Sequence, residues 1–354
     1  MALITGAPMI NRGRFRLFAG TTAEYSTGTL DLVGDSTVID MLGLLTLDFR
    51  KLSAWQLDPR RFQDSDYQPL KSSGITIFHP AVGYTEGDVY AASLRDITGW
   101  NSFIRSHPEK FLRVDSAASL EQIKTSGKIG IVIGQQNSAH FRSVDDVDRF
   151  YRLGQRVSQL TYVQNRLGGG SSDAYDSGLT PYGGQVIERM NAVGMAVDVS
   201  HCADRTTLEA IDISRKPVLV THSNCRALVP AAARCKTDGA IRRLASKGGV
   251  MGITMIRFFV RAQGPATIND VLDHIDHVVK LVGVEHVGVG TDVDLVGRDR
   301  GAHPAPRADL DGLRYARKIF DLTEGLLRRK YARRDIELIL GGNFQRALAE
   351  IWTV

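Results

Sequence analysis

The chain has 354 residues, of which 43% are hydrophobic and 23% charged, an ordinary globular balance that suits one large α/β domain or two medium ones. Its 44 basic and 39 acidic residues leave a formal charge of +5, mild for this length, and no dense basic run interleaved with aromatics points to nucleic acid. No stretch reaches the roughly 18 apolar residues of a membrane span. Cys202, Cys225 and Cys235 form no CxxC pattern, and the first twenty residues lack an apolar core with a cleavage site. Reduced thiols in a cytoplasmic protein are therefore expected.

In chain order, residues 1–35, rich in Gly and Thr, read as a small N-terminal β extension, and 36–354 as one domain. Eight short runs follow: STVIDML (36–42), GITIFH (74–79), KIGIVIG (128–134), SQLTYV (158–163), GMAVDVSH (194–201), PVLVTHS (217–223), GGVMGITM (248–255) and EHVGVGTD (285–292). They are nearly continuous in apolar character rather than alternating, as parallel strands buried on both faces are. Helical patterns separate them. SVDDVDRFYRLGQR (143–156) opens on Ser143 with Asp146 as its capping partner, and further helices are expected over 182–194, 203–216, 237–249 and 267–283. The segment 43–73 is long enough for an extra helix or a lid. LLRRKYARRD (326–335) reads as the solvated face of a late helix. Eight strands alternating with helices predict an α/β fold, a (β/α)8 TIM barrel carrying the small N-terminal β element.

Catalytic groups of such barrels sit at the C-terminal strand ends. Here those ends carry His79, Gln136, Tyr162, His201, His222 and Asp292. His201 and His222 close neighbouring strands, about 4.8 Å apart, so their imidazoles can share one cation. Asp292 closes the last strand and can take a proton from water or ligate the ion. His79, followed by Pro80, is read as loop structure, and the HxxH pair His274/His277 as a solvated helix face.

GMAVDVSHCADRTTLEAIDISRKPVLVTHSNCRAL, GLTPYG (178–183), HVGVGTDVD (286–294) and LGGNFQRAL (340–348) together resemble the membrane (renal) dipeptidase family of the amidohydrolase superfamily, from about residue 36 to the C-terminus. The resemblance implies a (β/α)8 barrel, usually two zinc ions, hydrolysis of dipeptides often with a D-residue at the C-terminal position, and a homodimer. By position it makes His201 and His222 the ligands of the second metal, Asp292 the acid/base, and Arg234 the holder of the substrate carboxylate. Cys235 stands where the family has Asn.

The family pattern breaks at three strand ends. Leu42 and Leu44 occupy the His-x-Asp positions of the first metal, Gln136 that of the bridging glutamate, and Tyr162 that of a substrate-contacting histidine. Leucine has no lone pair to give, and a neutral amide cannot neutralise two dications. The expectation is one Zn²⁺ per chain, or another divalent metal, on His201 and His222 with support from Gln136 or Asp292, and Tyr162 as an oxyanion donor. The expected function is a metal-dependent, dipeptidase-like hydrolase of a dipeptide or related small amide. Two alternatives stay open: other chemistry on the same scaffold (cyclic amide opening, a lyase step or a tailoring reaction), or a catalytically silent homologue.

Overall fold

The computed structural model describes residues 13–19, 21–295 and 310–353. β1 (Arg14–Phe15) and β2 (Tyr25–Ser26) form an antiparallel pair. The remaining strands are parallel: β3 (Ile39–Asp40), β4 (Ile77–Phe78), β5 (Phe111–Arg113), β6 (Ile129–Ile131), β7 (Gly134–Gln135), β8 (Val157–Gln159), β9 (Ala196–Asp198), β10 (Leu219–Ser223), β11 (Val250–Ile253) and β12 (Val287–Val289). Their order is β5-β6-β4-β3-β12-β11-β10-β9-β8-β7. β6 and β7 are halves of one segment interrupted by Val132 and Ile133; the first half pairs with β4 and the second with β8. The hydrogen bonding thus returns to the segment it started from, which is the expected barrel topology.

β5 is an added strand on β6 that the sequence did not betray. It is three residues long and ends in an arginine. Two expected strands are shorter than their apolar runs. The fourth spans only Val157–Gln159, which leaves Tyr162 in the turn beyond it, and the eighth stops at Val289, short of Asp292.

Neighbouring residues of a strand bury on opposite faces. Ile39, Ile77, Val157, Ala196, Leu219 and Val250, near the strand starts, form one cluster with Phe344, Leu348, Ile351 and Trp352. Phe78, Val197, Val220 and Met251, one position further on, belong to the larger cluster beneath the outer helices. The C-terminal helix Asn343–Trp352 therefore stops the barrel at the strand N-termini, and the opposite end is left for chemistry.

The segment after β3 holds two helices, Phe49–Leu57 capped by Asp48 and Asp64–Ser72. At the N-terminal end, helix Thr27–Asp35 is capped by Ser26 and docks on helix Lys318–Arg328. Glu324 accepts from Ser26 Oγ (2.8 Å), Thr29 Oγ1 (2.6 Å) and Arg14 (3.2 Å). Residues 1–12 of the expected extension lie outside the described residues. The 143–156 helix spans Asp145–Arg152 and is capped at Val144 rather than Ser143, though Asp146 does accept the backbone N–H of Ser143.

One histidine reading is corrected. His274 is not solvated: it is fully buried, takes the Cys225 N–H on Nδ1 (3.1 Å) and donates Nε2–H to Val260 O (2.9 Å). It pins a loop to helix Ile268–Val282, while His277 meets Asp238 at 2.8 Å. His79 lies just past β4, in the connection expected of it, but it is not exposed. It is buried, with Nδ1 on Met41 O at 2.7 Å, and its Nε2 faces Gly134, where any Cβ would collide with the ring. Nε2 has no hydrogen-bond partner among the described residues.

Candidate active site

β9 and β10 carry the two histidines expected to bind metal. Asp198, the last residue of β9, is buried and organises both strand ends. It accepts the backbone N–H of Ser200 (2.9 Å) and of Thr221 (3.0 Å), and the hydroxyls of Ser200 (2.5 Å) and Thr221 (2.7 Å). Thr221 has one hydroxyl proton, and Asp198 takes it. The Thr221 oxygen, 2.9 Å from His222 Nδ1, must therefore accept from that ring. This sets the tautomer of His222: Nδ1 holds the proton and Nε2 presents a lone pair.

His201 Nε2 lies 3.1 Å from His222 Nε2. With the His222 nitrogen bare, that contact is satisfied by a proton on His201 or by a cation shared between the rings. Two metal–nitrogen bonds of about 2.0–2.1 Å span such a distance when they meet at roughly 100°. Both imidazoles are held well below their ordinary pKa range, first by burial and then by the positive charge of Arg234. They are neutral at physiological pH, the form that ligates a metal. The ring of Tyr162 stacks on His201 with centroids 4.2 Å apart. It lies against Gly83, where a Cβ would strike it at 2.6 Å.

Arg234 is only 6% exposed. One nitrogen donates to His222 O (2.7 Å), while Nε and Nη1 have no hydrogen-bond partner among the described residues. An unpaired buried donor costs about 1–3 kcal/mol, more on a charged group. A carboxylate oxygen is the natural acceptor for such a fork. Burial lowers the Arg234 pKa, and Asp292 opposes that shift.

Asp292 sits one residue past Thr291 at φ 55°, the left-handed region. Aspartate visits this region more readily than most non-glycine residues. Its backbone N–H is held by Leu42 O at 2.9 Å. Asp292, Gln136, Tyr162 and Leu44 share the lining of a cavity of about 350 Å³, closed on its other side by Leu52, Gln56, Tyr84 and Asp96.

The structure thus joins His201 to His222 and Tyr162, and Arg234 to His222. Asp292, Gln136 and Tyr162 share the adjoining cavity. The Gln136 side-chain nitrogen donates to Ala81 O (2.9 Å). Among the described residues no three His, Cys, Asp or Glu groups converge as a metal site. The donors fit one ion held at a corner by two imidazoles. They do not fit two, because Leu42 and Leu44 are buried hydrocarbon and Gln136 brings no charge. Sequence reasoning passed over Asp198 and Thr221, although an acid inside the apolar run AVDVSH was the available signal. It also passed over Asp96.

A parallel barrel with imidazoles, a carboxylate and an arginine at its strand C-termini defines the amidohydrolase class of fold. The profile of the membrane dipeptidase family (peptidase family M19) matches residues 30–354, and the chain belongs to that family. An amidohydrolase of Pseudomonas aeruginosa superposes with a TM-score of 0.78 at 28% identity, covering 92% of this chain and 99% of that one. Dipeptidase tcpJ of Claviceps purpurea is 29% identical over 272 residues, 74% of this chain and 61% of that protein. Dipeptidase verJ of Clonostachys rogersoniana is 33% identical over 209 residues, 58% of this chain and 53% of that protein. The matched segments thus cover only somewhat more than half of these curated relatives.

Proposed function

We propose that the protein is a metal-dependent, dipeptidase-like hydrolase of a dipeptide or related small amide, with one divalent ion, Zn²⁺ by family, on His201 and His222. The observation that carries this is the 3.1 Å approach of two neutral Nε2 atoms, one with its lone pair fixed by Thr221 and Asp198, beside a buried arginine with donors to spare. When bound, the ion would supply Lewis-acid polarisation of an amide carbonyl and acidify water.

The remaining roles fall to side chains of the chain itself. Arg234 binds the C-terminal carboxylate of the substrate and fixes which end enters first. Asp292, at the cavity wall, takes the proton from the attacking water and returns it to the leaving amine. The Tyr162 hydroxyl is the donor best placed to meet charge on the carbonyl oxygen, because stacking on His201 holds its ring beside the imidazoles. The leucine side of the mouth leaves room for an apolar portion of the substrate. That side, with Gln136 in place of a carboxylate, also supports a second reading, a different amide such as a lactam on the same machinery.

The test is hydrolysis of a dipeptide panel, including D-residue C-termini, and of lactams, by metal-depleted protein with and without added zinc. Zinc-dependent turnover that disappears in His222→Ala supports the proposal. No turnover with zinc, manganese or iron on either panel overturns it.

A further inference from the structure

The cavity beyond Gln136 ends on Asp96, in helix Val89–Ser106. Asp96 is 3% exposed, and among the described residues no cation pairs with it. Gln56 donates to one oxygen (2.8 Å) and Gln135 to the other (2.6 Å). Gln135 lies in β7 next to Gln136, so the carboxyl is tied to the strand that enters the reaction site. A carboxylate has about four acceptor sites, and two amide donors leave capacity for a further, charged donor. Among the described residues that line the cavity, Asp96 and Asp292 are the charged groups, and neither lysine nor arginine is present. Arg234 sits beside His222 and, like the buried Lys236 that also acts on both imidazoles, does not line this cavity.

We infer that Asp96 makes this cavity a subsite for an ammonium group on the N-terminal residue of the substrate. The inference rests on the hydrolase reading above and adds a polarity to it: carboxylate toward Arg234, ammonium toward Asp96. Burial without a countercharge raises the Asp96 carboxyl to about 6, even against both amide bonds. A docked ammonium supplies the missing charge, as buried carboxylates require. Gln56 and Gln135 hold the oxygens in place, and Tyr84, whose own pKa is raised by burial and by the Asp96 charge, forms the adjoining wall.

The experiment compares wild type with Asp96→Asn and with Gln56→Lys, which offers the carboxylate an ammonium from the protein itself. The substrates are lysyl-alanine, norleucyl-alanine and N-acetyl-norleucyl-alanine. Each variant is expected to lower kcat/KM about 10- to 100-fold for ammonium-bearing substrates and to leave the acetylated one unchanged. Loss confined to lysyl-alanine assigns the side-chain ammonium, and loss shared with norleucyl-alanine assigns the α-ammonium. Equal loss on all three, or on none, overturns the inference. Calorimetric titration with n-butylammonium provides a readout independent of turnover, with saturable binding in wild type and at least tenfold weaker binding in both variants. If no dipeptide is cleaved but this binding holds, the hydrolase reading fails and the subsite stands. If wild type binds no n-butylammonium, the subsite fails.

Discussion

On one side of the barrel mouth, Asp198 of β9 accepts the backbone N–H and the hydroxyl of Thr221 in β10. On the other, Asp40 of β3 does the same for Thr291 just beyond β12, at 2.7 and 2.6 Å. Both clamps set the residue that follows the threonine, His222 in one case and Asp292 in the other. Their surroundings differ. The Asp198 clamp continues into a ring nitrogen and faces His201. The Asp40 clamp continues into the buried Lys318, whose Nζ lies 2.6 Å from Thr291 Oγ1 and 3.6 Å from Asp40, and its neighbours at the mouth are Leu42 and Leu44. One clamp design thus serves the proposed metal corner on one side and a buried ion pair on the other. A strand-end acid in this fold is therefore assigned by what its threonine touches next.

Breaking the metal corner has the largest expected effect. His222→Ala or His201→Ala should lower turnover by about a thousandfold or more and remove tightly held metal, read by kinetics and elemental analysis. Breaking the opposite clamp acts on the fold and on the placement of Asp292, not on the metal. Asp40→Asn removes the hydrogen-bonded carboxylate of buried Lys318, with Asp294 and Asp292 still acting on it, and should cost about 1–3 kcal/mol in urea unfolding, with metal content unchanged. Asp198→Asn should show the reverse pattern, a 10- to 100-fold loss of metal affinity through a misoriented His222.

A smaller effect, at the N-terminal β pair, supplies a control. Glu324 is held at about 2 by Thr29, Ser26 and Arg14 despite its burial. Its folded pKa lies below the unfolded one, so its contribution is present above about pH 4.5 and is lost as pH falls toward 2. Hydrogen exchange should show the β1–β2 pair and helix Thr27–Asp35 loosening over that window, before the β9–β10 end opens.

Much of this contrast was legible in the residues. Parallel strands buried on both faces must be apolar, so all eight runs could be read, and His201, His222 and Asp292 stood where each run ended. The losses at Leu42, Leu44 and Gln136 were also visible. Burial set by remote partners was not. Nothing near His79 announces Gly134, and nothing in HxxH announces that Cys225 and Val260 close over His274. Asp96 reads as an ordinary helix acid until Gln56 and Gln135, from two other elements, converge on it. Tyr162 was placed in a strand because LTYV is β-branched and aromatic, yet pairing ends at Gln159 and the ring reaches His201 from the turn.

The most direct test of a one-metal centre is a zinc titration of metal-depleted protein, followed by calorimetry and checked by elemental analysis after dialysis. One tightly bound equivalent per chain is expected, absent in His222→Ala and retained in Leu44→Ala. Two tightly bound equivalents, or none in the wild-type chain, would contradict it.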